Sequence, residues 1–232
     1  MRLVLASNNA KKLSELQALL AGVAVDLVAQ GRLGVTEAEE PHITFIENAL
    51  AKARHAAAAT GGAAIADDSG LCVDALGGAP GVSSAHYAGE LPAEAGAGSG
   101  SGGDDGGGGG DGGGGGGGSA REARRRLQDA ANNTCLLEAL QGVADRRAYF
   151  VCTLVAVKHA GDPQPLVAVG RWPGEILTAP RGNAGFGYDP LMFISDEGRT
   201  VAEMDAALKN SISHRAIATA QLRSLLHEVW RL

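Results

Sequence analysis

The chain has 232 residues, 45% of them hydrophobic and 20% charged, and carries a formal net charge of −6. That balance belongs to an ordinary folded protein, and it excludes a disordered tail, a polytopic membrane protein and a chain whose main task is to coat nucleic acid, which would need a basic surface. Three cysteines, Cys72, Cys135 and Cys152, are an odd number without Cys-x-x-Cys spacing, so the expectation is a reducing, cytoplasmic setting with neither a disulfide framework nor a zinc site.

The apolar run Leu3 to Ala6 is too short for a signal or membrane segment and reads as a buried strand entering the polar loop Ser7-Asn8-Asn9. A helix is expected from Lys12 to about Ala21, with Gly22 ending it, and Val23 to Ala29 reads as a second strand. After the acidic loop Glu37 to Pro41, Thr44 and Glu47 form a capping box for a helix whose apolar face is Ile46, Ala49, Leu50 and Ala53. Gly61-Gly62 stops that helix, and Ala63 to Ala66 is the third strand, closed by Asp67-Asp68-Ser69-Gly70. The first seventy residues therefore read β-α-β-α-β.

From Ala95 to Ser119 periodicity is lost in a glycine tract, which offers no apolar surface to offset its backbone entropy. Residues 91–120 are expected to form a flexible surface insertion. The Arg121 to Arg126 cluster reads as a solvated helix face, with RNA or a partner protein as the alternative contact. Order is expected to resume at Thr134 with a short helix to Leu140, followed by strands over Ala148 to Lys158 and Leu166 to Arg171. The Gly-rich loop Gly182 to Pro190 then leads into the apolar run Leu191 to Ile194. A last amphipathic helix spans Ala216 to Trp230, with Ile217, Leu222, Leu225, Leu226 and Val229 as its buried face.

Three segments carry candidate chemistry. The loop Ser7-Asn8-Asn9-Ala10-Lys11-Lys12 lies between a strand and a helix N-terminus, where free backbone N–H groups, the helix dipole and the Lys12 ammonium would favour a phosphate. The adjacent carboxylates Asp67 and Asp68, with Glu40, are costly after an apolar strand unless a cation or a hydrogen-bond network meets them, and an Asp-Ser-Gly turn is the plainer alternative. A phosphate loop nearby favours the cation, because Mg²⁺ takes one or two carboxylates together with phosphate oxygens. Finally, Phe186 in a Gly-rich loop can stack on a purine while Asp189, His214 and Arg215 read its edge. Taken singly, each of these has a structural explanation as a loop anchor or a core or capping residue.

Together, Ser7-x-Asn9-x-x-Lys12, Glu40, Thr44-Phe45-Ile46-Glu47-Asn48-Ala49, Ala66-Asp67-Asp68-Ser69-Gly70-Leu71, Leu76-Gly77-Gly78-Ala79-Pro80-Gly81, Phe186-Gly187-Tyr188-Asp189 and Ser213-His214-Arg215 resemble the successive signatures of the inosine/xanthosine triphosphate pyrophosphatases. The resemblance covers nearly all of the chain outside residues 91–130. It implies an elongated α/β fold, a single two-lobed domain over residues 1–232 with a long mixed sheet flanked by helices, a cleft between lobes, and a homodimer. It also implies hydrolysis of non-standard purine nucleoside triphosphates (ITP, dITP, XTP) to the monophosphate and pyrophosphate with Mg²⁺.

By the same resemblance the loop Ser7, Asn8, Asn9, Ala10, Lys11 and Lys12 would hold the triphosphate, with Lys52 a further phosphate contact. Glu40 and Asp68 would hold Mg²⁺, Asp68 would also be the base for water, and Ser69 would touch the substrate. Phe186, Gly187, Tyr188, Asp189, Lys209, His214 and Arg215 would form the base pocket. Lys209 or Arg215 facing a 6-keto oxygen would favour inosine and xanthosine over adenine, so guanine has to be rejected at the 2-position. Two features depart from the family pattern: His86 stands where bacterial members usually have Arg, and the glycine tract is foreign. The rival readings are a non-catalytic nucleotide-binding or RNA-associated protein and a pyrophosphatase for modified pyrimidine triphosphates. No stable nucleic-acid partner and no membrane association are expected.

Overall fold

The structure, a computed structural model, describes residues 1–90 and 116–232, and from 116 to 121 it describes the backbone alone. Strands β1 (Arg2–Leu5), β2 (Asp26–Ala29), β3 (Ala64–Val73), β4 (Arg147–Val157), β5 (Leu166–Ile176), β6 (Met192–Ile194) and β7 (Arg199–Thr200) form one sheet in the order β2-β1-β3-β4-β5-β6-β7. β1 pairs parallel with β2 and β3, and every later neighbour is antiparallel, so the sheet is open and mixed. The α/β expectation holds in this form. Among the described residues no helix is long and apolar enough to cross a membrane.

Helices cover both faces at the β1 end, which is why β1 and the start of β3 read as continuous apolar runs instead of alternating ones. Leu3, Leu5 and Ile65 pack with Leu16 and Leu20 at α1 (Ala10–Leu19) and with Leu222 of α5 (His214–Leu225). Val4, Ala64 and Ala66 meet the opposite helix, α2 (Phe45–Thr60), through Ala49, Ala53, Ala56 and Ala57. Small alanines on α2 let its backbone come close to the sheet. A third cluster, with Leu71, Leu136, Phe150, Trp172, Leu191 and Met192, holds the other end against α3 (Gly116–Ala139).

The α2 cap is the expected one in part: the Thr44 hydroxyl accepts the Glu47 N–H at 3.3 Å, but the Glu47 carboxylate accepts that hydroxyl at 2.6 Å instead of the Thr44 N–H, so the reciprocal box does not close; Gly61 ends the helix at φ 66°. Four expectations need correction. β3 runs through Asp67-Asp68-Ser69-Gly70 to Val73 in register with β4, so the acidic pair lies within a strand and no turn forms there. Helix α3 begins at Gly116, not Thr134; of the expected insertion, residues 91–115 lie outside the described residues and 116–120 are helical. On α2, Ile46 is exposed, and Asn48 and Lys52 face inward. On α5 and the turn that follows it, Ile217 and Val229 are exposed, and Ala218, Thr219, Leu222, Leu226 and Trp230 are buried.

Candidate functional site

Because β3 continues through the acidic pair, the period-2 alternation of a strand sends its two carboxylates to opposite faces of the sheet. Asp67 shares the side of Ile65 and meets α1 and α5: its Oδ2 lies 2.9 Å from Lys12 Nζ and 3.5 Å from an Arg215 guanidinium nitrogen, and it accepts the Ser69 hydroxyl at 3.2 Å. Asp68 shares the side of Ala66 and meets α2, accepting Lys52 Nζ at 3.2 Å and Asn48 Nδ2 at 3.3 Å. Lys52 also donates to Glu40 at 3.0 Å, so one buried ammonium joins Glu40 of the acidic loop to Asp68 of the central strand.

The two neighbours differ electrostatically. Burial pushes the Asp67 carboxyl up, but Lys12, Arg215 and Lys52 overcome it and hold this group far below the ordinary carboxylate range. Burial raises Asp68; Lys52 and Asn48 oppose the shift, Glu40 adds to it, and the net direction is upward. Burial alone would lower Lys52, yet Asp68, Asp67 and Glu40 together raise it, which keeps the ammonium charged.

A cavity of about 130 Å³ opens over these groups, lined among others by Ser7, Lys12, Glu40, Lys52 and Asp67. The strand-to-helix loop therefore faces the carboxylates, with Asp68 one ammonium behind the wall. The loop holds itself differently from the expectation: Asn9 Oδ1 caps α1 by accepting the N–H groups of Lys11 (3.0 Å) and Lys12 (3.3 Å), and Ser7 Oγ accepts the Asn9 N–H at 3.2 Å. With those donors occupied, the loop offers an anion the side chains of Lys12 and Ser7 more than free backbone N–H groups. Asn8, Ala10 and Lys11 are exposed, and Lys11 pairs with Glu122 of α3 at 3.0 Å.

The second half of the site is the glycine-rich loop before β6. Gly185 takes φ 78° there, and any side chain on it would collide with the Asp189 carboxylate. Asp189 is buried, accepts the Phe186 N–H at 2.9 Å and pairs with Lys209 of α4 (Ala206–Ile212) at 2.6 Å; burial raises its carboxyl against the pull of Lys209. Lys209 Nζ also sits 4.5 Å from the centre of the Phe186 ring. The buried Tyr188 hydroxyl donates to the Ser84 carbonyl at 2.9 Å, so Tyr188 anchors the loop. The next turn, Gly81–His86, ends in the exposed His86.

His214 and Arg215 start α5, but they turn to different tasks. The His214 ring is buried in stacked contact with Phe150 (5.1 Å) and Trp172 (6.3 Å), and burial, reinforced by Arg215 and Lys209, holds its pKa well below the usual imidazole value. The backbone of α5 approaches β5 so closely at Gly170 that a Cβ there would overlap the His214 carbonyl. Arg215 is pinned between Glu15 of α1 and Asp67, near Lys12. Lys209 and Phe186 thus stay together at the glycine-rich loop, while Arg215 belongs with Asp67.

Several functional contributors were not anticipated. Asn48 joins the Asp68 carboxylate to the acidic loop by also donating to the His42 carbonyl at 3.1 Å, and Glu15 fixes Arg215. On α3, Asp129 accepts the Gly187 N–H at 2.9 Å and Asn133 donates to the Gly187 carbonyl at 3.0 Å, so this helix braces the Phe186 loop. The arginine cluster expected to be a solvated face reaches inward in part: Arg125 lies 5.0 Å over the Phe186 ring, and Arg125 and Arg126 both line a second cavity beside it.

Comparison with known proteins places the whole chain in a family. The Ham1 family model matches residues 3–98 and 112–225, leaving unmatched a short interval inside the glycine tract. A dITP/XTP pyrophosphatase of Methylibium petroleiphilum is 62% identical over 99% of both chains, and one of Leptothrix cholodnii is 61% identical over 100% of both. A Ham1 protein of Coxiella burnetii superposes with a TM-score of 0.80 at 39% identity, covering 99% of this chain and 100% of that one. With the family model spanning both halves of the site and these relatives matching end to end, the chain belongs to the Ham1 family.

Proposed function

We propose that this single domain hydrolyses the non-standard purine nucleoside triphosphates ITP, dITP and XTP to the monophosphate and pyrophosphate. One observation carries the reading: the Lys52 ammonium, in the wall of the cavity that Glu40, Lys12 and Ser7 line, bonds both Glu40 and the Asp68 carboxylate behind that wall. The names of the 62% and 61% identical relatives support the substrate class.

Two carboxylates that converge on one cationic centre have the donor chemistry a hard divalent ion requires, and Glu40 and Asp68 are the residues that would hold Mg²⁺. With two carboxylates, most of the ion's coordination positions would be left to the substrate's phosphate oxygens and to water. Bound there, the ion would supply charge neutralisation for the departing pyrophosphate.

The chain's own residues do the rest. Lys12, anchored by Asp67, holds a full positive charge at the mouth of the loop, and Ser7 adds a hydroxyl beside it. Asp68, joined to Glu40 through Lys52, suits the task of orienting the water that attacks the α-phosphorus or taking its proton. Phe186 supplies a face for the purine, and Lys209, fixed by Asp189, supplies a donor suited to a 6-keto oxygen and mismatched to the 6-amino group of adenine.

The test is product analysis with ITP and Mg²⁺. IMP and pyrophosphate are expected, and Asp68→Asn should lower kcat by about 10²–10⁴-fold. Release of IDP and inorganic phosphate, or near-wild-type turnover by the variant, would overturn the assignment.

A further inference from the structure

Helix α3 carries its arginines to the base loop. Both backbone polar groups of Gly187 are tied to it, the N–H to Asp129 and the carbonyl to Asn133, so the Phe186 loop and this face of α3 form one braced unit. Between them lies a cavity of about 230 Å³, walled by Gly185 and Phe186 on one side and by Arg125, Arg126 and Asp129 on the other, with Lys11 of the phosphate loop at its edge. A space of that size suits one part of a nucleotide and is smaller than a pocket for a whole ligand. Its lining couples an aromatic face to the loop proposed to grip the triphosphate.

The Arg125 guanidinium lies across this space, 5.0 Å from the centre of the Phe186 ring. A guanidinium is flat and cationic, and it stacks on nucleobases as readily as on aromatic side chains. Lys209, the other cation on that ring, is fixed by its 2.6 Å pair with the buried Asp189. Arg125 stands on a partly exposed helix face, where a cation–π contact is weak and is readily exchanged for a larger stacking surface. Arg126, on the same helix, pairs with Glu122, which in turn pairs with Lys11. The start of the described helix thus spans from the phosphate loop to the base loop.

We propose that Arg125 is a substrate-binding residue that covers the purine: the base enters between Phe186 and Arg125 and is held between the aromatic ring and the guanidinium. This inference rests on the proposed function and names a contact beyond it. Arg125 adds affinity for the base part of the nucleotide and leaves the phosphate end untouched.

Calorimetric titration of the wild-type protein, Arg125→Ala and Arg125→Lys with IMP and, separately, with inorganic pyrophosphate tests this, alongside ITP kinetics. For Arg125→Ala the expected result is a three- to tenfold weaker Kd for IMP and a similarly raised KM for ITP, the range of a partly desolvated cation–π stack. Pyrophosphate affinity, kcat and Tm should stay as in the wild type. Arg125→Lys, which keeps the charge and loses the flat fork, should recover only part of the IMP affinity. Unchanged or tighter IMP binding by Arg125→Ala would overturn the proposal, as would equal weakening of IMP and pyrophosphate or full recovery by Arg125→Lys. A wild-type protein that releases no pyrophosphate from ITP would instead sink the proposed function, which separates the two failures.

Discussion

Asp67→Asn is the substitution that probes the frame of the site most sharply. The side chain keeps its shape and can still accept the Ser69 hydroxyl, but the negative charge between Lys12 at 2.9 Å and Arg215 at 3.5 Å disappears. Removing one partner of a buried ion pair costs about 3–5 kcal/mol when the other charge is stranded. Here the loss is smaller, because Arg215 keeps Glu15 and the Lys12 side chain is 21% exposed, so about 2–3 kcal/mol is expected. For a domain of this length that corresponds to a fall in Tm of roughly 5–10 °C.

The pH dependence follows from the lowered carboxyl of Asp67. The unfolded carboxylate titrates near pH 3.9, so the folded state gains its advantage above that pH and loses it as pH falls toward the depressed folded value. The Tm difference between wild type and Asp67→Asn should therefore be full at pH 7 and shrink below about pH 4. Thermal melts across this range, with the Lys12→Met and Lys12→Met/Asp67→Asn variants completing a double-mutant cycle, read the coupling directly. Equal Tm values at pH 7, or a difference that grows in acid, would refute the reasoning.

Gly185→Ala should raise KM for ITP with a modest loss of Tm, because the new methyl group meets the Asp189 carboxylate in a backbone conformation of positive φ; unchanged kinetics would contradict that placement. His214 gives a second pH signature. Its ring is buried with the pKa held low, so below pH 6.5 the unfolded state takes up a proton the folded state refuses, and stability falls with pH by up to about 1.4 kcal/mol per unit. His214→Phe should flatten that slope between pH 5 and about 6.5, since the ring stacks on Phe150 and Trp172 and its Nδ1 is buried without a hydrogen-bond partner among the described residues. Denaturation curves at stepped pH that keep the wild-type slope would count against this.

Much of the fold was legible where local chemistry and tertiary packing agree. The opening β-α-β-α-β order, the Thr44 cap and the Gly61 stop are visible because each depends on a few neighbouring residues. The acidic pair was misread as the end of a strand because two charges and a Ser-Gly look like a turn; ten residues of pairing with β4 and cationic partners on both faces hold the segment extended. Helix α3 was hidden for a related reason. Its first turns carry Gly, Ala and Arg with no apolar period, and its role as a brace depends on Gly187, distant in sequence. On α2, alanines fill the inner face and Lys52 takes an inward position, so the largest apolar residue of the first turn after Phe45, Ile46, points outward. The candidate residues stand out as motifs in the sequence, but the division of Asp67 and Asp68 between the two faces of β3 required the strand to be seen whole.

The central claim is that the pocket selects and cleaves the non-standard purine triphosphates ITP, dITP and XTP. The ratio of kcat/KM for ITP, XTP and dITP to that for ATP, measured by pyrophosphate release under one set of Mg²⁺ conditions, tests it most directly. A preference of about 10²-fold or more is expected from opposing Lys209 to adenine's amino group. Equal kcat/KM for ITP and ATP would contradict the account.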